Sequence, residues 1–171
     1  MVRCEGGSTA SSGGTKDAFN QYVKDNNSTN QAAYSKATGE DKAVWDRLGG
    51  DSIFGVSSSS GEIGSASNQT GLAGLSDATI SGAVALQSGV GEKLYITGGS
   101  ETGHETGDCS HGNGCKLDFR PTEGLNDHLE KWNDCQASYG PVCKQSGSSK
   151  CVYEENPAHW DCSFGPSTLS S

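Results

Sequence analysis

Two imidazoles and a carboxylate carry the clearest chemistry in this chain. The run from Ser110 to Asp118 reads S-H-G-N-G-C-K-L-D, and Gly112, Asn113 and Gly114 leave the connection between His111 and Asp118 free to turn back on itself. His159 stands near the other end of the chain, within N-P-A-H-W-D. His, Asp and His form a donor set suited to Zn2+, and three protein ligands leave a fourth position for water, as catalytic zinc sites do. A lone histidine in a glycine-rich loop is ordinarily a surface residue, so the weight rests on the conjunction. Asp118 lies between Leu117 and Phe119, and His159 between Ala158 and Trp160. A carboxylate in such an apolar setting is costly unless it is paired or coordinates a cation.

The elements that must position these residues are helices first and strands afterwards. Ala18, Phe19, Tyr22 and Val23 follow helical spacing over 15–25, and a second short helix is predicted over 31–36. A third begins near Gly39 with Ala43, Val44, Trp45 and Leu48 inward and stops at Gly49-Gly50. Ser76-Asp77 caps a helix over 77–88, and Leu125, His128, Leu129 and Trp132 mark another over 124–132. Strands are predicted at 93–97, 116–120, 151–153 and 159–164, the last two as neighbours in an antiparallel sheet. The fold class is therefore α+β: N-terminal helices, then a small antiparallel sheet carrying the zinc site.

Composition narrows the function classes. Twelve basic against twenty-one acidic residues give a net charge of −9, which repels nucleic acid and anionic lipid. No apolar stretch is long enough to span a membrane. Six of the seven cysteines fall between Cys109 and Cys162 with no C-x-x-C pair, so disulfide staples in a secreted protein fit better than a zinc ribbon. Cys135 and Cys143 close a short loop and are the first pair expected, with Cys4 left over. The sequons at Asn26, Asn27 and Asn68 agree with secretion, although such matches arise easily in an Asn/Ser-rich chain. The opening residues, Met1 to Gly6, form no apolar leader core, and the cysteines favour an extracellular location.

The stretch I-T-G-G-S-E-T-G-H from Ile96 to His104, then S-H-G-N-G-C-K-L-D, then the terminal H-W-D resemble the metal-binding elements of the D-alanyl-D-alanine carboxypeptidase family of zinc peptidases. That family also includes D-alanyl-D-alanine dipeptidases, phage L-alanyl-D-glutamate endolysins and the hedgehog signalling domain. The resemblance covers residues 90–165 and implies that His111, Asp118 and His159 are the three zinc ligands. It also implies hydrolysis of amide bonds in peptidoglycan stem peptides.

Two departures qualify what the resemblance implies. The family keeps its catalytic acid three residues before the last histidine, where this chain has Asn156. A neutral amide cannot act as a base, so the role passes to Glu155, swung inward by a bulge beside Pro157, or to Glu154. The family's substrate-binding Arg is also missing from Thr97 to Glu101, leaving Arg120 and His104 as candidate substrate contacts. Residues 1–50 read as a Gly/Ser-rich N-terminus with a helical attachment segment, through which the chain could join a protein assembly. Residues 51–171 read as the zinc-peptidase-like domain. The alternative function is a catalytically inactive, metal-stabilised binding or structural module of the same fold.

Overall fold

The computed structural model describes residues 38–57, 62–101, 109–136, 142–155 and 157–165. The helices expected over 15–25 and 31–36, together with Cys4, His104 and Asn156, lie outside them. In chain order the described elements are α1 (Gly39–Leu48), β1 (Phe54–Val56), α2 (Asp77–Val90), β2 (Leu94–Gly98) and β3 (Lys116–Phe119). They continue with α3 (Glu123–Glu130), β4 (Asn133–Asp134), β5 (Val142–Ser146), β6 (Ser149–Glu154) and β7 (His159–Phe164). A single 3-10 turn, Gly50–Ser52, follows α1. The class is α+β.

The sheet is larger than expected and is not purely antiparallel. Seven strands run in the order β1-β2-β3-β7-β6-β5-β4, and β1 pairs parallel with β2. Helix α2 lies between those two strands in sequence, and parallel neighbours need a crossover of that kind. Every other strand pair is antiparallel. Strand β1 has three buried residues and no alternation to betray it, while β5 is mostly polar.

Helix α2 is capped by Ser76 Oγ, which accepts the Thr79 amide at 3.1 Å, and it ends at Gly91 with φ 81°. It packs against β7 through a glycine: a Cβ at Gly82 would run into the Phe164 ring. Helix α3 starts where Thr122 Oγ1 accepts the Leu125 amide at 2.8 Å. Behind β7, Asn126 Oδ1 on α3 accepts the Trp160 indole N–H at 2.7 Å. These contacts fix β7 from the helical side.

Alternation along the strands separates two faces. Leu94, Ile96, Leu117, Phe119, Tyr153, Trp160, Cys162 and Phe164 join the apolar cluster that also holds Val44, Trp45 and Leu48 of α1. Helix α1 thus packs into the same core as the sheet. Trp45 is only 1% exposed, and truncating such a residue removes a large apolar volume that the site cannot refill. Trp45→Ala is expected to destabilise the whole sheet by about 3–5 kcal/mol, read from denaturant unfolding. The opposite face of the sheet carries Asp118, Asp161, His159 and Glu154.

Three disulfides fasten the structure: Cys109–Cys115, Cys135–Cys143 and Cys151–Cys162, with Cα separations of 5.1, 5.0 and 4.1 Å. The pair expected first from spacing, Cys135–Cys143, is present. Cys151 and Cys162 are directly opposed on β6 and β7. Among the described residues, no helix is long and apolar enough to cross a membrane.

Candidate metal centre

The turn that holds His111 is built from its own polar groups. Asn113 Oδ1 accepts the Ser110 amide at 2.9 Å, and the Gly114 and Cys115 amides donate to His111 O and Ser110 O, each at 3.0 Å. Gly114 sits at φ 77°, a conformation glycine adopts without penalty. Its carbonyl accepts from the Ser76 amide at 3.1 Å and the Thr79 hydroxyl at 2.7 Å, tying the turn to the start of α2. The Cys109–Cys115 disulfide closes the turn across its base.

His111 emerges from this frame 9% exposed, with Nδ1 3.1 Å from the Gly99 carbonyl oxygen. A carbonyl only accepts, so Nδ1 carries the proton and Nε2 is directed at Asp118 Oδ1, 3.1 Å away. His159 repeats the arrangement. Its Nδ1 lies 2.7 Å from Pro157 O, while Nε2 lies 3.2 Å from Glu154 Oε2 and 3.9 Å from Asp118 Oδ2. A histidine whose Nδ1–H is fixed by a backbone carbonyl and whose Nε2 faces carboxylates is arranged as metal-bound histidines are.

The carboxylates supply the second half of the fit. Register places Asp118 directly opposite Asp161, with both side chains largely buried. Like charges opposed across strands destabilise a sheet unless a cation lies between them. Lys116 Nζ reaches Asp161 Oδ2 at 3.1 Å, but Asp161 Oδ1 is buried with no hydrogen-bond donor among the described residues, 3.9 Å from His111 Nε2. Donor atoms of His111, Asp118 and Asp161 all fall within 4.8 Å of one another. Ligands about 2.1 Å from a tetrahedral zinc stand roughly 3.4 Å apart, close to the 3.1 Å between His111 Nε2 and Asp118 Oδ1, whereas His111 Nε2 to Asp161 Oδ1 is longer at 3.9 Å. Gly98 keeps the space open, since a Cβ there would lie 2.6 Å from Asp118 Oδ2. His111, Asp118 and Asp161 together could hold a metal ion.

Asp161 escaped the sequence reading, although a strand through His159 places residue 161 on the same face by simple alternation. Glu154 is the cross-strand partner of His159, whereas Glu155 lies in the following turn with an exposed side chain. Arg120 is 1% exposed; its guanidinium lies 4.6 Å from the centre of the Tyr95 ring and donates to Ser57 Oγ. His128, on α3, packs its ring edge-on to Trp132. No protein-family model, curated protein or solved structure matches this chain.

Burial pulls the His111 pKa down, but the hydrogen bond and charge of Asp118, aided by Asp161 and opposed by Lys116, raise it above the usual histidine value. The folded metal-free protein therefore holds this proton more tightly than the unfolded chain does. That contribution to stability is complete below the ordinary value of about 6.5 and disappears as pH rises through the higher folded value. A cation must displace the same proton. Zinc affinity is expected to fall as pH drops from about 8 to about 6, by up to roughly tenfold per pH unit, with proton release measurable by calorimetry in buffers of different ionisation enthalpy.

Proposed function

We propose that this chain is a secreted zinc-dependent amide hydrolase of the D-alanyl-D-alanine carboxypeptidase type, acting on peptidoglycan stem peptides. His111, Asp118 and His159 hold the metal, and Glu154 is the proton acceptor. The observation that carries the reading is the grouping of His111 and Asp118, 3.1 Å apart, with Asp161, while His159 Nε2 stands outside that group at 3.9 Å from Asp118 Oδ2. Three disulfides agree with an extracellular location.

A zinc held by His111, Asp118 and His159 would supply Lewis acidity for the scissile carbonyl and for a water nucleophile near neutral pH. The chain's own groups do the rest. Gly99 O and Pro157 O fix both imidazoles in one tautomer. Glu154 Oε2 takes the proton from the attacking water and returns it to the departing amine.

The assignment of Glu154 follows from the hairpin. An acid three residues before the distal histidine would stand directly opposite it across a two-residue turn. Here the opposed pair is Glu154 and His159, so the connection between them is four residues long and the opposed position moves back by two. The amide at Asn156 then falls within the connection, where no base is required.

Asp161 favours a second reading. A fourth protein ligand, this carboxylate beside His111 and Asp118, could close the coordination sphere, as in structural zinc sites, leaving an inert metal-stabilised module. The test is zinc content together with turnover of stem peptides by the purified chain. About one zinc per chain, lost in Asp118→Ala, with hydrolysis that a chelator stops, supports the first reading. Bound zinc without turnover, released by Asp161→Asn, supports the second. A chain that binds no zinc overturns both.

A further inference from the structure

We propose that Glu101 is a positioning residue for His111, acting through Gly99; the inference rests on the metal-site reading above. Glu101 is 6% exposed, and one carboxylate oxygen, Oε2, accepts two amides from separate segments, Gly71 at 2.7 Å and Gly99 at 2.8 Å. Bonds from ionised acceptors to backbone amides are short and strong, and burial strengthens them further. Ser100 grips the same junction: its amide donates to Gly71 O at 2.8 Å and its hydroxyl to Ala73 O at 2.5 Å. The approach is too close for side chains, since a Cβ at Gly99 would collide with Gly71 O and one at Gly71 with the Glu101 backbone.

Gly99 is therefore held from its amide side by Glu101 while its carbonyl faces His111 Nδ1 at 3.1 Å. The segment around Gly71 is anchored in turn to α1. Asp41 Oδ1 accepts the Leu72 and Ala73 amides at 2.8 and 2.9 Å, and Glu40 Oε1 accepts the Gly74 amide at 3.0 Å. Glu101 joins this anchored loop to the Gly99 carbonyl that faces His111 Nδ1. Without the carboxylate, Gly99 loses its fixed orientation, and Nε2 is no longer held toward Asp118.

Zinc affinity is measured by chelator competition in the wild type, Glu101→Ala and Glu101→Gln, alongside nitrogen-15 spectra of the histidine rings in the metal-free proteins. Loss of a group that orients a metal ligand weakens binding about 10–100-fold, and this is the expected effect of Glu101→Ala. Gln keeps an oxygen that accepts both amides, so Glu101→Gln should restore affinity to within a few-fold of wild type. The His111 Nδ1–H signal should persist in Glu101→Gln and disappear in Glu101→Ala, while that of His159 persists in both. If Glu101→Ala does not fold, Glu101→Asp, which withdraws the carboxylate by one methylene, should show the same direction of change. Unaltered affinity, or weaker binding with the His111 tautomer intact, overturns the proposal. A wild type that binds no zinc overturns the metal site instead.

Discussion

Glu154→Gln should abolish turnover of stem peptides while leaving zinc in place. Removing a positioned proton acceptor costs about 10²–10⁴-fold in rate. Gln preserves the size of the side chain but cannot take a proton from water, so the loss should appear in kcat more than in KM. The neighbouring Glu155→Gln is the internal control: its side chain is exposed in the turn, and its activity should stay near wild type. The contrast between adjacent glutamates tests the hairpin register directly, because Glu154↔His159 is the terminal pair of the β6–β7 ladder. An inactive Glu155→Gln beside an active Glu154→Gln would reverse the assignment. If Glu154→Gln released zinc, Glu154 would be a ligand rather than a base.

The second large effect concerns the staple beneath His111. Replacing both Cys109 and Cys115 with Ser removes a crosslink across a short loop, which by chain entropy should destabilise the fold by about 2 kcal/mol. The change should also loosen the proposed ligand His111, because that loop carries it. The remaining anchors, Gly114 O with Ser76 and Thr79, hold the far side of the turn but not its entry at Cys109. Zinc affinity is expected to fall about tenfold, comparable to the loss of other groups that orient a ligand. The same double replacement at Cys135 and Cys143, just after β4 and on β5 two strands from Asp161, should lower stability without changing affinity, because that loop carries none of the proposed ligands. Equal zinc affinity in the two double variants would show that the Cys109–Cys115 bond does not organise the site.

The parts of this structure that could be read from sequence are those whose signals are local. Strand β7 and helix α2 were legible because alternation and a Ser cap announce them. The extent of the sheet was not, because β1 joins β2 only through the crossover helix and β5 carries little apolar pattern. At the site, His111, Asp118 and His159 stood out by residue type and spacing. Which glutamate stands opposite His159 was left open between Glu155 and Glu154, since it depends on the length of a hairpin connection fixed by pairs such as Cys151↔Cys162 and Tyr153↔Trp160. Asp161 required only the two-residue period of a strand. The resemblance put Glu101 near the site, but its partners at Gly71 and Gly99 could not be read, because they are set by tertiary packing.

The place of β7 in the sheet has a consequence for how the protein is made. The last of the described strands is inserted between β3 and β6, in the middle of the sheet. Its pairing with β3 spans more than forty positions, from Lys116↔Ser163 to Phe119↔Trp160. Contacts so distant along the chain form slowly, after more local ones. During synthesis, β3 must therefore wait with an open edge, and open edges invite association with other chains. Arrival of β7 closes that edge, brings Cys162 to Cys151 and carries His159 and Asp161 to Asp118 in a single step. The assembly of His159 and Asp161 with Asp118 thus depends on completion of the sheet.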